Sequence, residues 1–188
     1  TLARFGASLS DDTREELLSA AARALFKLMS YKDEYEVARL HTQTGFDDKI
    51  AEQFEGGYRI QYHMAPPVLS SGRDARGRPK KRAFGQWMRP VLGGMARFKF
   101  LRGTMLDPFG YGADRVEERA LITWFESVLD TLAEVALHDV PQADVLHIVE
   151  TPMEFRGYGP VKSLAVAQHK ARADAKLADL AQRRAAAA

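Results

Sequence analysis

The sequence predicts a mostly α fold: a single helical domain over residues 1–188 with an inserted β-hairpin. Three observations carry this. Apolar side chains recur every three to four residues through most of the chain, which is the period of a helix face. One segment, 58–64, alternates apolar and polar residues with period two, the pattern of a half-buried strand. Glycine and proline cluster between these segments, as breakers do. At 188 residues and 46% hydrophobic, the chain can bury one sizeable core or two small ones.

The elements follow in order. Ser10-Asp11-Asp12 with Glu15 is a helix start, a capping side chain followed by acids in the first turn. Leu17, Leu18, Ala21, Leu25, Leu28 and Met29 then hold helical spacing for about five turns. Residues 31–40 continue helically after a break near Ser30, and 46–54 form a third helical piece closed by Gly56-Gly57. In 58–64, Tyr58, Ile60, Tyr62 and Met64 share one strand face, with His63 on the other. Pro66-Pro67 ends that strand. Residues 70–77 read as a polar loop, and 78–84 as a returning strand. An isolated hairpin is marginal in water, so it must pack on helices.

Residues 87–101 predict a helix with a weak point at Gly93-Gly94 and apolar positions at Trp87, Val91, Met95 and Phe98. A loop over 103–112 leads to a helix capped by Asp114 and running to about His138. Its buried stripe is Leu121, Trp124, Phe125, Val128, Leu129, Leu132 and Val135. Pro141 interrupts, 143–149 is helical, and Thr151-Pro152 begins another turn. After the tight loop Gly157-Tyr158-Gly159-Pro160, a last helix runs from Val161 toward Arg184. Its second half has few large apolar residues, so it is expected to fray or to pack on something outside the chain.

Composition excludes several classes. There is no cysteine, so disulfides, cysteine-held iron–sulfur clusters and thiolate zinc sites have no ligands here. Absence of cysteine fits a reducing compartment, and a cytoplasmic location is expected. No apolar run approaches the roughly 18 residues that span a bilayer, so no membrane partner is expected. The first residues lack a basic-then-apolar signal pattern. A chain opening on Thr1 reads as a piece of a longer protein.

Charge is unevenly placed. Net charge is +2, yet residues 73–102 hold ten of the 27 bases and one of the 25 acids, Asp74. Within that block Arg78, Lys80, Lys81 and Arg82 form a compact basic hairpin, the candidate site for an anion or a partner. Arg and Lys there suit phosphate, an acidic protein surface or nucleic acid. The plainer reading is a solvated hairpin offset by acidic helices of its own domain. Single-strand nucleic-acid binders also need stacking aromatics. Phe84 and Trp87 read instead as hairpin and helix anchors, so nucleic acid ranks last.

Other chemistry is sparse. His41, His63, His138, His147 and His169 are scattered, and none pairs with a carboxylate at helical ligand spacing. Carboxylates abound without a distinct dyad. No nucleophile elbow or phosphate loop is present. Gly157-Tyr158-Gly159-Pro160 leads into a helix N-terminus, where anions can bind, but Pro160 removes one donor.

Five segments together resemble the indolepyruvate ferredoxin oxidoreductase family. They are 26–40, from Phe26-Lys27-Leu28-Met29 to Ala38-Arg39-Leu40, and 54–67, from Phe54-Glu55-Gly56-Gly57 to Pro66-Pro67. The third is 77–85, with Gly77-Arg78-Pro79-Lys80-Lys81-Arg82. The fourth runs from Leu101-Arg102-Gly103-Thr104 through Asp107-Pro108-Phe109-Gly110-Tyr111, and the fifth is 156–162. They occur in the family's order and cover about residues 20 to 180.

The part resembled is a C-terminal region of that family. The resemblance implies a parent 2-oxoacid:ferredoxin oxidoreductase that decarboxylates aryl pyruvates onto coenzyme A. That enzyme uses thiamine diphosphate, magnesium and iron–sulfur clusters, and it passes electrons to ferredoxin. Its thiamine, magnesium and cluster motifs lie in other domains, so no catalytic residue carries over and no cofactor is expected in this chain. Two readings stay open. One is a non-catalytic structural or docking domain that contacts other domains and subunits of the enzyme, displaying apolar residues such as Leu2, Phe5, Leu9, Val166 and Leu177. The other is a binding module whose basic hairpin holds an anionic ligand, such as the phosphates of coenzyme A.

Overall fold

A computed structural model of the chain describes residues 1–65, 72, 80–135, 140–157 and 159–187. Among these the chain is mostly helical, 68% helix, with one two-stranded antiparallel hairpin. The elements are α1 (Leu2–Ala7), α2 (Asp11–Met29), α3 (Glu34–Thr42), α4 (Phe46–Ala51), β1 (Tyr62–Met64), β2 (Arg82–Phe84), α5 (Met88–Arg97), α6 (Ala113–Glu134), α7 (Gln142–Val149) and α8 (Pro160–Ala187). Short 3-10 turns cover Phe98–Leu101 and Thr151–Glu154. The chain divides into two compact units, Thr1–Tyr31 with Val116–Ala188, and Lys32–Arg115.

The first unit is helical throughout. α2 starts at Ser10, as its acidic first turn predicts. The Ser10 hydroxyl shares a hydrogen bond with Thr13 Oγ1 at 2.9 Å and leaves the helix amides uncapped. α2 buries Leu17, Ala20, Ala21, Ala24 and Leu28. α6 contributes Leu121, Phe125, Val128, Leu129 and Leu132 to the same core. Val145, Ile148 and Val149 of α7 and Phe155 complete it. Trp124 is half-buried, and its indole Nε1 donates to Asp174 Oδ1 on α8 at 2.7 Å. Lys27 caps the turn after α7, donating to the carbonyls of Pro152 and Met153 at 2.8 Å each. Burial there, with Arg156 and Lys162 nearby, lowers its pKa.

Two expectations change in this unit. Phe5, Leu9 and Val166 are buried in its own core, and Leu2 and Leu177 pack against it. They are therefore no display surface. The second half of α8 does not run free, because Ala173 and Leu180 are buried and Leu177 lies between them. Three positions at helical spacing suffice to seat an alanine-rich helix.

The second unit is smaller. α3 and α5 pack together, and the hairpin lies against them. Its core is Ala38, Tyr62, Met88, Leu92 and Ala96, with Ile60, Met64, Phe84 and Met95 partly buried around it. The strand register pairs Tyr62 with Phe84, His63 with Ala83 and Met64 with Arg82. The alternation read in 58–64 holds from Ile60 to Met64, with Tyr62 inward and His63 exposed, while Tyr58 is exposed. Only its last three residues pair, because β2 itself has only three. Asp33 caps α3, accepting from the Tyr35 amide at 3.0 Å. α4 stops at Ala51, before Gly56-Gly57. α5 runs through Gly93-Gly94 without a break.

Candidate docking site

The segment 98–112 of the second unit is a loop whose shape is set by one buried carboxylate. Asp107 is 5% exposed. Its Oδ2 accepts from the Gly103 amide at 3.0 Å, and its Oδ1 accepts from the Phe109 amide at 3.0 Å and the Tyr35 hydroxyl at 3.2 Å. Burial alone would raise the Asp107 pKa. The donors at Gly103, Phe109, Tyr35 and Gly110 outweigh it and hold the carboxyl below the usual carboxylate range. Tyr35 moves the other way. Burial, then the Asp107 charge, pushes its phenol up to about 12, so it stays a donor at neutral pH.

Local sequence makes this geometry possible. Gly103 has φ +74°, a backbone state that residues with a Cβ resist. A Cβ on Gly110 would sit 3.0 Å from Asp107 Oδ2 and 3.2 Å from its Cγ, so a larger residue there would push the carboxylate by a few tenths of an ångström. Secondary bonds tighten the loop. Thr104 Oγ1 donates to Leu101 O at 2.7 Å, Leu106 N to Thr104 Oγ1 at 3.2 Å, and Tyr111 OH to Met105 O at 2.8 Å. Phe109 meets Tyr35 edge to face, with ring centroids 5.3 Å apart. Its ring is half-buried and leans on Tyr35.

The rest of the loop faces outward. Phe100 is 72% exposed, Met105 89%, Leu106 76% and Tyr111 69%. Single exposed apolar residues are ordinary, but four on one short loop make it the candidate interaction surface of this unit. The sequence had shown a loop here without indicating which way its apolar residues point. The one available signal was the glycine pair flanking Asp107, at positions 103 and 110.

The basic block divides. Arg89 pairs with Asp47, Lys99 with Glu36 at 2.8 Å and Arg102 with Asp33 at 3.2 Å. These acids lie on α3, its cap and α4, so part of the block is offset within its own unit. Glu36 is held at about 2 by hydrogen bonds from Arg39 and then Lys99. Arg78 lies outside the described residues. Lys80, Lys81 and Arg82 are exposed on and before β2. They do not line the described concavity of this unit, an open depression of about 270 Å³ bordered by Thr42, Gln43, Arg89, Pro90, Gly93 and Arg97. Changing Lys80, Lys81 and Arg82 together to Ala should leave the melting temperature unchanged within error, because exposed charges add little stability. Thermal denaturation followed by circular dichroism checks this.

Among the described residues, no three His, Asp or Glu side chains are placed to share a metal ion. No described helix is long and apolar enough to cross a membrane. With no cysteine in the chain, the side chains present do not fit the cysteine ligation of an iron–sulfur cluster. Comparison with curated proteins and with solved structures finds no match. The model of the Family of unknown function (DUF6537) matches residues 1–175, which takes in both compact units, and the chain belongs to that family.

Proposed function

We propose that the chain is a non-catalytic structural and docking domain of an indolepyruvate:ferredoxin oxidoreductase-type enzyme, one that oxidatively decarboxylates aryl 2-oxoacids to acyl-CoA. The observation that carries the docking role is the pinned apolar loop, with Phe100, Met105, Leu106 and Tyr111 exposed around buried Asp107. A preformed apolar surface loses little conformational entropy on binding. The five ordered sequence blocks support the choice of parent enzyme. In this reading thiamine diphosphate, magnesium and the clusters are held by other domains, coenzyme A is the co-substrate, ferredoxin receives the electrons, and the complex is cytoplasmic.

Reconstitution tests the reading. The chain alone, given indolepyruvate, thiamine diphosphate and an artificial electron acceptor, should show no turnover. Mixed with the thiamine- and cluster-bearing parts of such an enzyme, it should co-elute with them. Leu106→Asp should abolish co-elution while leaving the circular dichroism spectrum intact. Turnover by the chain alone, or assembly indifferent to Leu106→Asp, overturns the proposal.

A second reading has one supporting observation: Lys80 and Lys81 are exposed and carry no ion pair among the described residues. In this reading the hairpin holds the phosphates of coenzyme A, and the Lys80, Lys81 and Arg82 triple variant should raise the apparent KM for coenzyme A. The effect should shrink at high salt. A salt-independent, wild-type KM rejects it.

A further inference from the structure

α5 carries two apolar stripes and buries one. Met88, Leu92 and Ala96 enter the core of the second unit. Trp87, Val91 and Phe98 stay 61%, 52% and 52% exposed. At about 100° per residue, these three share one outward shoulder of the helix. Ring contacts prolong the stripe at both ends, Phe84 to Trp87 at 5.8 Å and Phe98 to Phe100 at 6.0 Å. The result is a continuous apolar line that the described residues leave uncovered.

The opposite shoulder is cationic. Arg89, Gly93 and Arg97 recur at every fourth residue and border the open depression. Arg89 is already engaged by Asp47, whereas the Arg97 side chain has no hydrogen bond or ion pair among the described residues, and α5 contains no acid. Gly94 lies between the shoulders, beside Gly93. Neither has a positive φ, and a Cβ on either would meet nothing within 4 Å. Glycine inside a helix is unfavourable relative to alanine, and nothing in the described unit requires it here. It does leave the helix backbone open to close approach by another backbone.

We propose that the outward face of α5 receives an acidic amphipathic α-helix of a protein partner. Its apolar residues cover Trp87, Val91 and Phe98, its backbone crosses at Gly93-Gly94, and a carboxylate reaches Arg97. This rests on the docking reading above and specifies the partner's chemistry. Anchors at helical spacing are how a groove reads an amphipathic helix. Charge selects the occupant. The second unit holds fifteen bases against ten acids. A second copy of α5 brings no acid to Arg97, whereas a carboxylate-bearing helix does.

The test uses the full chain and two synthetic amphipathic helical peptides that share one leucine stripe, the first with Glu flanks and the second with Lys flanks. The chain has two tryptophans, so Trp124→Phe leaves Trp87 as the reporter. Calorimetry on the unaltered chain gives the same comparison if that variant misfolds. The Glu peptide should blue-shift Trp87 emission, shield it from acrylamide and bind at least tenfold tighter than the Lys peptide. Val91→Asp should abolish binding, and Arg97→Glu should erase the preference. Equal affinity for both peptides, or no response to either, overturns the proposal. The two readings separate in reconstitution. If Val91→Asp assembles normally while Leu106→Asp does not, the α5 proposal falls and the docking function stands. If neither variant matters, both fall.

Discussion

Replacing Asp107 by alanine should lower the unfolding free energy by about 3 kcal/mol, since hydrogen bonds to a buried charge contribute roughly 1.5–3 kcal/mol each and the orphaned donors are only partly rehydrated. The donors left behind are the amides of Gly103 and Phe109 and the hydroxyl of Tyr35. Asp107→Asn keeps the shape but turns an amino group toward at least one donor, so it should recover only part of the loss. The pH dependence has a definite sign. The folded pKa of Asp107 is depressed, so its contribution is complete above the unfolded value of about 4 and fades as pH falls through the lower folded value. The gap between wild type and Asp107→Ala in urea midpoint should therefore be constant near neutrality and narrow below pH of about 4. An unchanged midpoint at pH 7 would show that the carboxylate does not hold the loop.

In the first unit, Phe125→Ala should cost about 4 kcal/mol, since a fully enclosed ring leaves a cavity its neighbours fill only in part. Phe125 is completely buried, between Trp124 and the α2 and α7 side chains of the core. Differential scanning calorimetry should register a fall in melting temperature on the order of 15 °C for a unit of this size. Phe98→Ala is the control, since its ring is half exposed and should cost far less. Similar losses in the two variants would mean that the core is not where the structure places it.

Helices with a single apolar arc were legible in advance. α6 is the clearest case. Of the seven residues read as its buried stripe, Leu121, Phe125, Val128, Leu129, Leu132 and Val135 are buried and Trp124 is half-buried. α2 was legible for the same reason, and its acidic first turn marked its start. The hairpin was legible in its alternation and overextended in length, because pairing depends on a partner strand that the alternation does not measure. The basic block was legible as charge. The pairing of Arg89, Lys99 and Arg102 within their own unit was not, since Asp47, Glu36 and Asp33 lie 42 to 69 residues from these partners in the sequence.

Neighbouring residues were enough for the helical class, the hairpin, the placement of most elements and the loop over 103–112, though not for the role of the Asp107 carboxylate in it. These rest on local periodicity and turn chemistry, which neighbouring residues decide. The tertiary structure alone decided which of two stripes on α5 is buried. Residues 87, 88, 91, 92, 95, 96 and 98 are all apolar or small, so the helix has an apolar arc wider than one interface can cover. The stripe Trp87, Val91, Met95 and Phe98 satisfies helical spacing as well as Met88, Leu92 and Ala96 do. Packing against α3 brings the second set into the core with Ala38 and leaves Trp87, Val91 and Phe98 outside. Periodicity fixes an angle between residues on a helix, but only contact with another element fixes which direction points inward.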